Sequence, residues 1–243
     1  MGSVCGTIRE VIDDLNEDIG LIEVHLYRPF SSKYFFDVLP ETVTDMVVLD
    51  RTKEPGSTGE PLYLDVVSLF NDKDLKPRIL GGRYGLSSKD TNPAHIKAVF
   101  DFMLKEDAFN GFTVGIEDDV TNLSIPVNNY HIKTSAKEFL VYGYGSDGMI
   151  GCSKDILKII GDNTEEYVQG YFQYDSKKSG GITRSHIRIS DKPIRSTYYI
   201  DNPSLVVCSK ESYLGKYDML SNIKENGTFI FVSSLSTAQP AKS

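Results

Sequence analysis

Two glycine-rich segments hold residue types that could grip an acidic ligand. The first is Phe139-Leu-Val-Tyr-Gly-Tyr-Gly-Ser-Asp-Gly-Met-Ile-Gly151, where an apolar run stops at Gly143 and glycines recur at Gly145, Gly148 and Gly151. Ile156, Leu157, Ile159 and Ile160 then supply the apolar side of a helix. Strand, glycine turn and helix, in that order, expose backbone N–H groups at a helix start, which is chemistry for a phosphate. Glycines so spaced also serve ordinary tight turns. The second segment is Tyr174-Asp-Ser-Lys-Lys-Ser-Gly-Gly181, followed by Arg184, His186 and Arg188 alternating with Ile187 and Ile189. A basic cluster in a chain of formal net charge −8 invites a local anion. A helix N-terminus alone contributes only about 0.3–1 kcal/mol toward an exposed anion, whereas a hydrogen bond to a charged group adds about 1.5–3 kcal/mol. The turn by itself would hold a phosphate poorly. With Lys177 and Lys178 opposite Gly145, Ser146, Asp147, Gly148 and Met149, the site becomes credible, and a solvated basic turn is an equal reading of the lysines alone.

Other chemistries find less support. The negative charge argues against a nucleic-acid partner, which needs a basic face. Cys5, Cys152 and Cys208 are widely separated and form no C-x-x-C, so neither a disulfide framework nor a zinc or iron–sulfur site is expected. They read as reduced thiols of a cytosol-like compartment. The four histidines have no ligand spacing and read as surface or ordinary packed residues. No run approaches the length of a membrane helix, and Met1-Gly-Ser-Val-Cys-Gly6 lacks the form of a signal peptide.

The elements that must position these residues alternate between strand and helix. Ser3 is placed to cap a helix bearing Ile8, Val11, Ile12 and Leu15, and Leu21–Leu26 reads as a strand. Ser32 is placed to cap a short helix. Met46–Leu49 is a buried strand, and Pro61 opens a helix through Leu62, Val66 and Leu69. Arg78–Leu80 is a strand followed by a glycine-rich loop, Gly81–Lys89. Asn92-Pro93 starts a helix, and Phe112–Ile116 is a further strand. The charged loops at Lys53-Glu54 and Arg83–Lys89 fall where ligands of such sheets sit, though solvated turns are the commoner case. Residues 122–137 mix Pro, Asn and Ser without period and read as a linker. Beyond it, strands are expected over 166–174, 204–208 and 227–232, with a helix through Leu214, Tyr217 and Leu220. Asp175 ends the first of these, where a dinucleotide fold places a ribose-binding acid. The expected architecture is α/β, with two consecutive α/β domains. The first, 1–121, is a mostly parallel sheet with helices on both faces, and the second, 138–243, is Rossmann-like with added strands.

Taken together, Leu26-Tyr-Arg-Pro-Phe30, Leu49-Asp-Arg-Thr-Lys-Glu-Pro-Gly56, Gly81-Gly-Arg-Tyr-Gly-Leu-Ser-Ser-Lys89, Gly145-Ser-Asp-Gly148, Lys158-Ile-Ile-Gly161, the lysine segment and Pro193-Ile-Arg-Ser-Thr197 resemble pyruvate:ferredoxin (flavodoxin) oxidoreductase. The resemblance runs through nearly the whole chain. It implies a transketolase C-terminal-like domain, whose first strand this chain lacks, and a following domain that helps hold coenzyme A. For the whole enzyme it implies oxidative decarboxylation of pyruvate to acetyl-CoA with electrons passed to ferredoxin or flavodoxin. The parts that hold thiamine diphosphate with Mg and the iron–sulfur clusters belong elsewhere in that polypeptide. The partners implied are the remaining domains and a second copy in a homodimer, in the cytoplasm or an anaerobic organelle such as the hydrogenosome. Gly145–Met149 then face the coenzyme A phosphates, Lys177 and Lys178 neutralise them, and catalytic residues lie outside this chain. Two readings compete: a scaffold that only braces a catalytic core, and an NADP-dependent dehydrogenase using the lysine pair for a 2′-phosphate.

Overall fold

The computed structural model describes residues 2–117, 120–175 and 180–234. It divides into two compact units, Met1–Lys133 with Arg195–Tyr198, and Thr134–Ile194 with Tyr199–Ser243.

The first unit carries a three-stranded parallel sheet in the order β1 (Asp45–Asp50), β2 (Arg78–Tyr84), β3 (Phe112–Val114). One face is covered by α1 (Val4–Leu15) and α4 (Pro93–Met103), which bury Val11, Ile96 and Val99 against Leu80, Phe112 and Val114. The other is covered by α2 (Ser32–Val38) and α3 (Pro61–Leu69), whose Phe35, Leu62 and Val66 pack with Val48 and Phe70. Helices on both faces of a parallel sheet are the arrangement expected for short strands apolar on both sides.

Several local expectations change. Leu21–Leu26 forms no ladder among the described residues. Leu21 packs toward one core and Ile22 and Val24 toward the other, so the segment runs between two clusters. Ser3 has helical dihedrals and makes no side-chain cap, and Ser31 rather than Ser32 accepts from an α2 amide, that of Tyr34. The glycine-rich stretch after Leu80 is not all loop, because β2 continues through Tyr84. A Cβ at Gly82 would come within 2.3 Å of the Phe112 ring, so the glycine admits an aromatic ring against the strand rather than making a turn. The segment expected as a linker begins with a further pairing, where the Thr113 N–H donates to Leu123 O and the Ile125 N–H to Thr113 O. Arg195–Tyr198, from the second half of the sequence, joins this unit by packing on α1. Arg195 pairs with Asp13 at 2.6 Å, Ser196 Oγ donates to Glu10 at 2.6 Å, and the Thr197 hydroxyl donates to Ser3 O at 2.6 Å.

The second unit holds a five-stranded mixed sheet in the order β5 (Tyr167–Tyr174), β6 (Ile182–Ser190), β4 (Lys137–Tyr144), β7 (Leu205–Cys208), β8 (Thr228–Phe231). β4, β7 and β8 run parallel, while β6 is antiparallel to both β4 and β5. α5 (Met149–Asn163) crosses one face over β4, β5 and β6. The 209–226 connection covers the other, packing Tyr213 and Met219 on Leu140, Tyr142, Val206 and Cys208. The helix expected through Leu220 is a short 3₁₀ turn, Glu211–Tyr213, followed by turns. Gly215, at φ +74°, takes a left-handed conformation that ends helical winding there. Arg188, only 2% exposed, pairs with Glu138 at 2.9 Å and donates to Gln169 at 3.1 Å. This buried pair fixes the register of three strands.

Candidate functional site

β4 ends at Tyr144 and α5 begins at Met149, so Gly145–Gly148 must reverse the chain in four residues. Two take positive φ, Ser146 at +77° and Gly148 at +86°. Gly143 is needed for close approach, since a Cβ there would lie 2.7 Å from Thr183 Oγ1 and 2.9 Å from Met149 Cβ. Asp147 organises the turn. Its carboxylate accepts from Tyr144 N at 2.7 Å, from Met149 N at 2.9 Å and from the Ser209 hydroxyl at 2.6 Å. Its own N–H donates to Tyr144 O at 2.9 Å.

The β5–β6 hairpin folds back onto this turn. Gly145 N donates to Gly181 O at 2.8 Å. Between them opens a cleft of about 470 Å³, lined by the turn residues Tyr144 to Gly148, by Ile150, and by Tyr174, Asp175, Gly181, Ile182 and Thr183 of the hairpin. The cleft sits at the carboxyl end of β4, where ligands of α/β sheets bind.

Of the residues singled out from the sequence, the structure gathers Gly145, Ser146, Asp147 and Gly148 at the cleft, and Met149 stands outside its lining. The amide of Met149 is already taken by Asp147, so the next residue, Ile150, presents the helix start instead. α5 has no side-chain cap on its remaining first-turn amides. Lys177 and Lys178 lie outside the described residues. Asp175 and Gly181, which flank that stretch in sequence, line the cleft. Two residues at the site had no motif to announce them. Ser209 steadies Asp147, and Lys210 sets its Nζ 4.7 Å from the centroid of the Tyr144 ring. Both directly follow β7, the parallel neighbour of β4, and the carboxyl-end rule is the signal that could have found them.

The other candidates are built into the fold. Glu60, 4% exposed, pairs with Arg83 and accepts from Glu54 N at 2.8 Å, so the charged loops of the first unit close on each other. Asp175 does not stand where a dinucleotide fold places its ribose acid. β6 is inserted between β4 and β5, which moves the end of β5 one strand away. His186 is buried, with Nδ1 accepting from Ile200 N at 3.0 Å, and burial followed by Arg188 and Arg184 holds its pKa down to about 4. No set of three His, Cys, Asp or Glu side chains able to hold a metal occurs among the described residues. No helix among them is long and apolar enough to cross a membrane.

Two family models match the chain. Residues 1–96 match pyruvate:ferredoxin oxidoreductase core domain II, and residues 138–242 match pyruvate ferredoxin/flavodoxin oxidoreductase. The chain is 51% identical over 245 residues to a pyruvate-flavodoxin oxidoreductase of Enterobacter agglomerans, a match covering 98% of this chain and 21% of that protein. A pyruvate:ferredoxin oxidoreductase of Moorella thermoacetica is 49% identical with the same coverage. A mitochondrial pyruvate dehydrogenase (NADP+) of Euglena gracilis is 42% identical over 251 residues, covering 100% of this chain and 14% of that protein. The chain therefore spans 21% of the length of the first two relatives and 14% of the third.

Proposed function

Because the chain belongs to the pyruvate:ferredoxin/flavodoxin oxidoreductase family, we propose that it serves as one part of an enzyme that oxidatively decarboxylates pyruvate to acetyl-CoA and passes electrons to ferredoxin or flavodoxin. Within that enzyme its cleft grips coenzyme A. Thiamine diphosphate, magnesium and iron–sulfur clusters supply the decarboxylation and electron chemistry from other parts of the polypeptide. The three cysteines of this chain are scattered and unpaired, so it offers no cluster ligation. The cytoplasm, or an organelle of an anaerobic cell, is the compartment of the proposed enzyme.

The observation that carries the coenzyme A reading is the bare start of α5 at the cleft. Asp147 consumes the amides of Tyr144 and Met149 and leaves those of Ile150 and Gly151 for an outside acceptor. A Cβ at Gly151 would meet nothing within 4 Å, so no packing demand accounts for a glycine there. A glycine in a helix costs roughly 0.5–1 kcal/mol relative to alanine, and a bare backbone lets a phosphate approach closely. Lys177 and Lys178, which fall in sequence between the cleft residues Asp175 and Gly181, supply the neutralising charge.

Bracing is the second part of the role. α5 buries only Ser153, and it turns Ile159 outward at 61% exposure and Ile156 at 41%. Those side chains offer an apolar face to the rest of a longer polypeptide. The relatives are named for flavodoxin, ferredoxin and NADP+ at comparable identity, so this region is common to enzymes with different acceptors and does not choose among them.

Calorimetric titration of this chain with coenzyme A tests the cleft. Saturable heat that disappears in the Lys177→Ala/Lys178→Ala variant is the expected result. No heat with the parent chain, together with an unchanged coenzyme A KM when the two lysines are replaced in a full-length enzyme, overturns the gripping role and leaves the bracing one. Tighter binding of NADP+ than of coenzyme A would instead favour a dehydrogenase.

A further inference from the structure

On the sheet face away from α5, two arginines of β6 have different surroundings. Arg188 has its carboxylate within the fold, in Glu138. Arg184 stands opposite Tyr142 of β4 and Gln173 of β5 in the two ladders. Its guanidinium carbon lies 5.6 Å from the centroid of the Tyr142 ring and 5.9 Å from that of Tyr217. Its Nε–H is buried with no acceptor, and no carboxylate among the described residues pairs with it. The acid whose charge is felt at Tyr142, Asp218, spends its carboxylate on Ser221 N at 3.1 Å.

A guanidinium carries five donors and cannot shed its charge. Stacking on aromatic rings supports the cation electrostatically and uses up none of those donors. A partly buried arginine held this way is poised for a planar or tetrahedral oxyanion, which it can bind through paired charge-assisted hydrogen bonds. Arg184 also directly follows Ile182 and Thr183, two residues that line the cleft, so it stands near the ligand end of the sheet.

We propose that Arg184, seated between Tyr142 and Tyr217, is a second oxyanion-binding site that takes a phosphate or carboxylate group on the sheet face opposite α5. The site uses none of the turn amides or lysines assigned to coenzyme A, so it stands or falls independently of that reading.

Side-chain ¹⁵Nε–¹Hε NMR of this chain tests it, with inorganic phosphate and succinate titrated separately. The Arg184 signal is expected to shift and saturate with one or both, and the arm that saturates identifies the preferred group. For the variants the same two titrations are followed by calorimetry, where Arg184→Lys, which keeps the charge but loses the fork, should weaken the apparent Kd about tenfold. Tyr217→Leu should weaken it as well without touching the arginine. An Arg184 signal that only drifts linearly, in step with the half-exposed Arg195, overturns the proposal, as does saturable binding that both variants leave unchanged. Loss of coenzyme A binding in the Lys177→Ala/Lys178→Ala variant with the Arg184 response intact separates the two sites.

Discussion

The chain contains two strand-to-helix junctions built on the same device, an aspartate at a helix start, and they end in opposite states. At the β1–α3 junction, Asp50 is buried and accepts from Leu62 N at 3.2 Å and Tyr63 N at 3.0 Å. Pro61 has no N–H to satisfy, and Glu60 and Arg83 close the loop in front of the helix. At the β4–α5 junction, Asp147 sits inside the turn and takes one strand amide and one helix amide. The next residue, Ile150, lines a cleft. The helix dipole and orphan donors are general properties of any helix start. On the proposed reading, a helix start serves as a site only where the protein's own carboxylate leaves some of those donors unfilled.

The largest effect is expected at the closed junction. Glu60→Ala leaves Arg83 partly buried without its carboxylate and strands the Glu54 amide, which should cost about 3 kcal/mol. Urea unfolding monitored by circular dichroism measures it. If the contrast is right, opening this junction lowers stability without creating affinity for coenzyme A. Binding gained there would show that any uncovered helix start in the chain can serve.

Asp50→Ala comes next, at about 2 kcal/mol, because two N–H groups lose their acceptor. The pH dependence of the same residue sharpens the point. Burial, opposed by the two amides, raises the Asp50 carboxyl above its ordinary range. The folded chain thus holds that proton to higher pH than the unfolded chain. The residue's contribution therefore falls as pH rises from the usual carboxylate value through the raised one. Asp50→Asn should flatten that slope in unfolding measured across the acidic range, and an unchanged slope would assign it elsewhere.

How far the sequence disclosed this contrast follows from the physics of each piece. The periodic helices and apolar strands were legible, and so was the glycine turn at 143–151, because local pattern and backbone freedom decide them. The closed junction was not. Glu54, Glu60 and Arg83 are separated in sequence and meet only when β1 and β2 pair, so the charged loop at Lys53-Glu54 looked like a ligand loop or a solvated turn. Gly81 and Gly82 read as loop because sequence does not disclose that Phe112 will lie over Gly82. The inversion of β6 between β4 and β5 was hidden for a similar reason. A hairpin and a crossover can share one pattern of alternating residues, and only the ladder partner tells them apart.

At the open junction the effects on stability are smaller and those on binding larger. Asp147→Ala frees the amides of Tyr144 and Met149, and because the turn faces solvent the loss should be about 1 kcal/mol. The turn then loses the group that sets its shape, and coenzyme A affinity should drop about tenfold in titration. A variant that unfolds as readily as Asp50→Ala, with affinity intact, would make Asp147 a stability cap like the other and erase the contrast.

The smallest effect separates what holds the turn from what holds its organiser. Asp50 accepts from two amides, whereas Asp147 accepts a third bond, the 2.6 Å contact from the Ser209 hydroxyl. Ser209 belongs to the segment just after β7, so this bond ties the turn to the neighbouring strand rather than to the helix it starts. Ser209→Ala removes a hydroxyl while both amides continue to fix the carboxylate, and the expected cost is about 0.5–1 kcal/mol. Coenzyme A affinity should change less than in Asp147→Ala, and hydrogen exchange at Met149 should stay slow, since its acceptor remains. If Ser209→Ala instead matches Asp147→Ala in both readouts, the aspartate depends on β7 for its position. The open junction would then be assembled by the sheet rather than by the turn, the reverse of the closed one, where the acid that caps the helix comes from the strand leading into it.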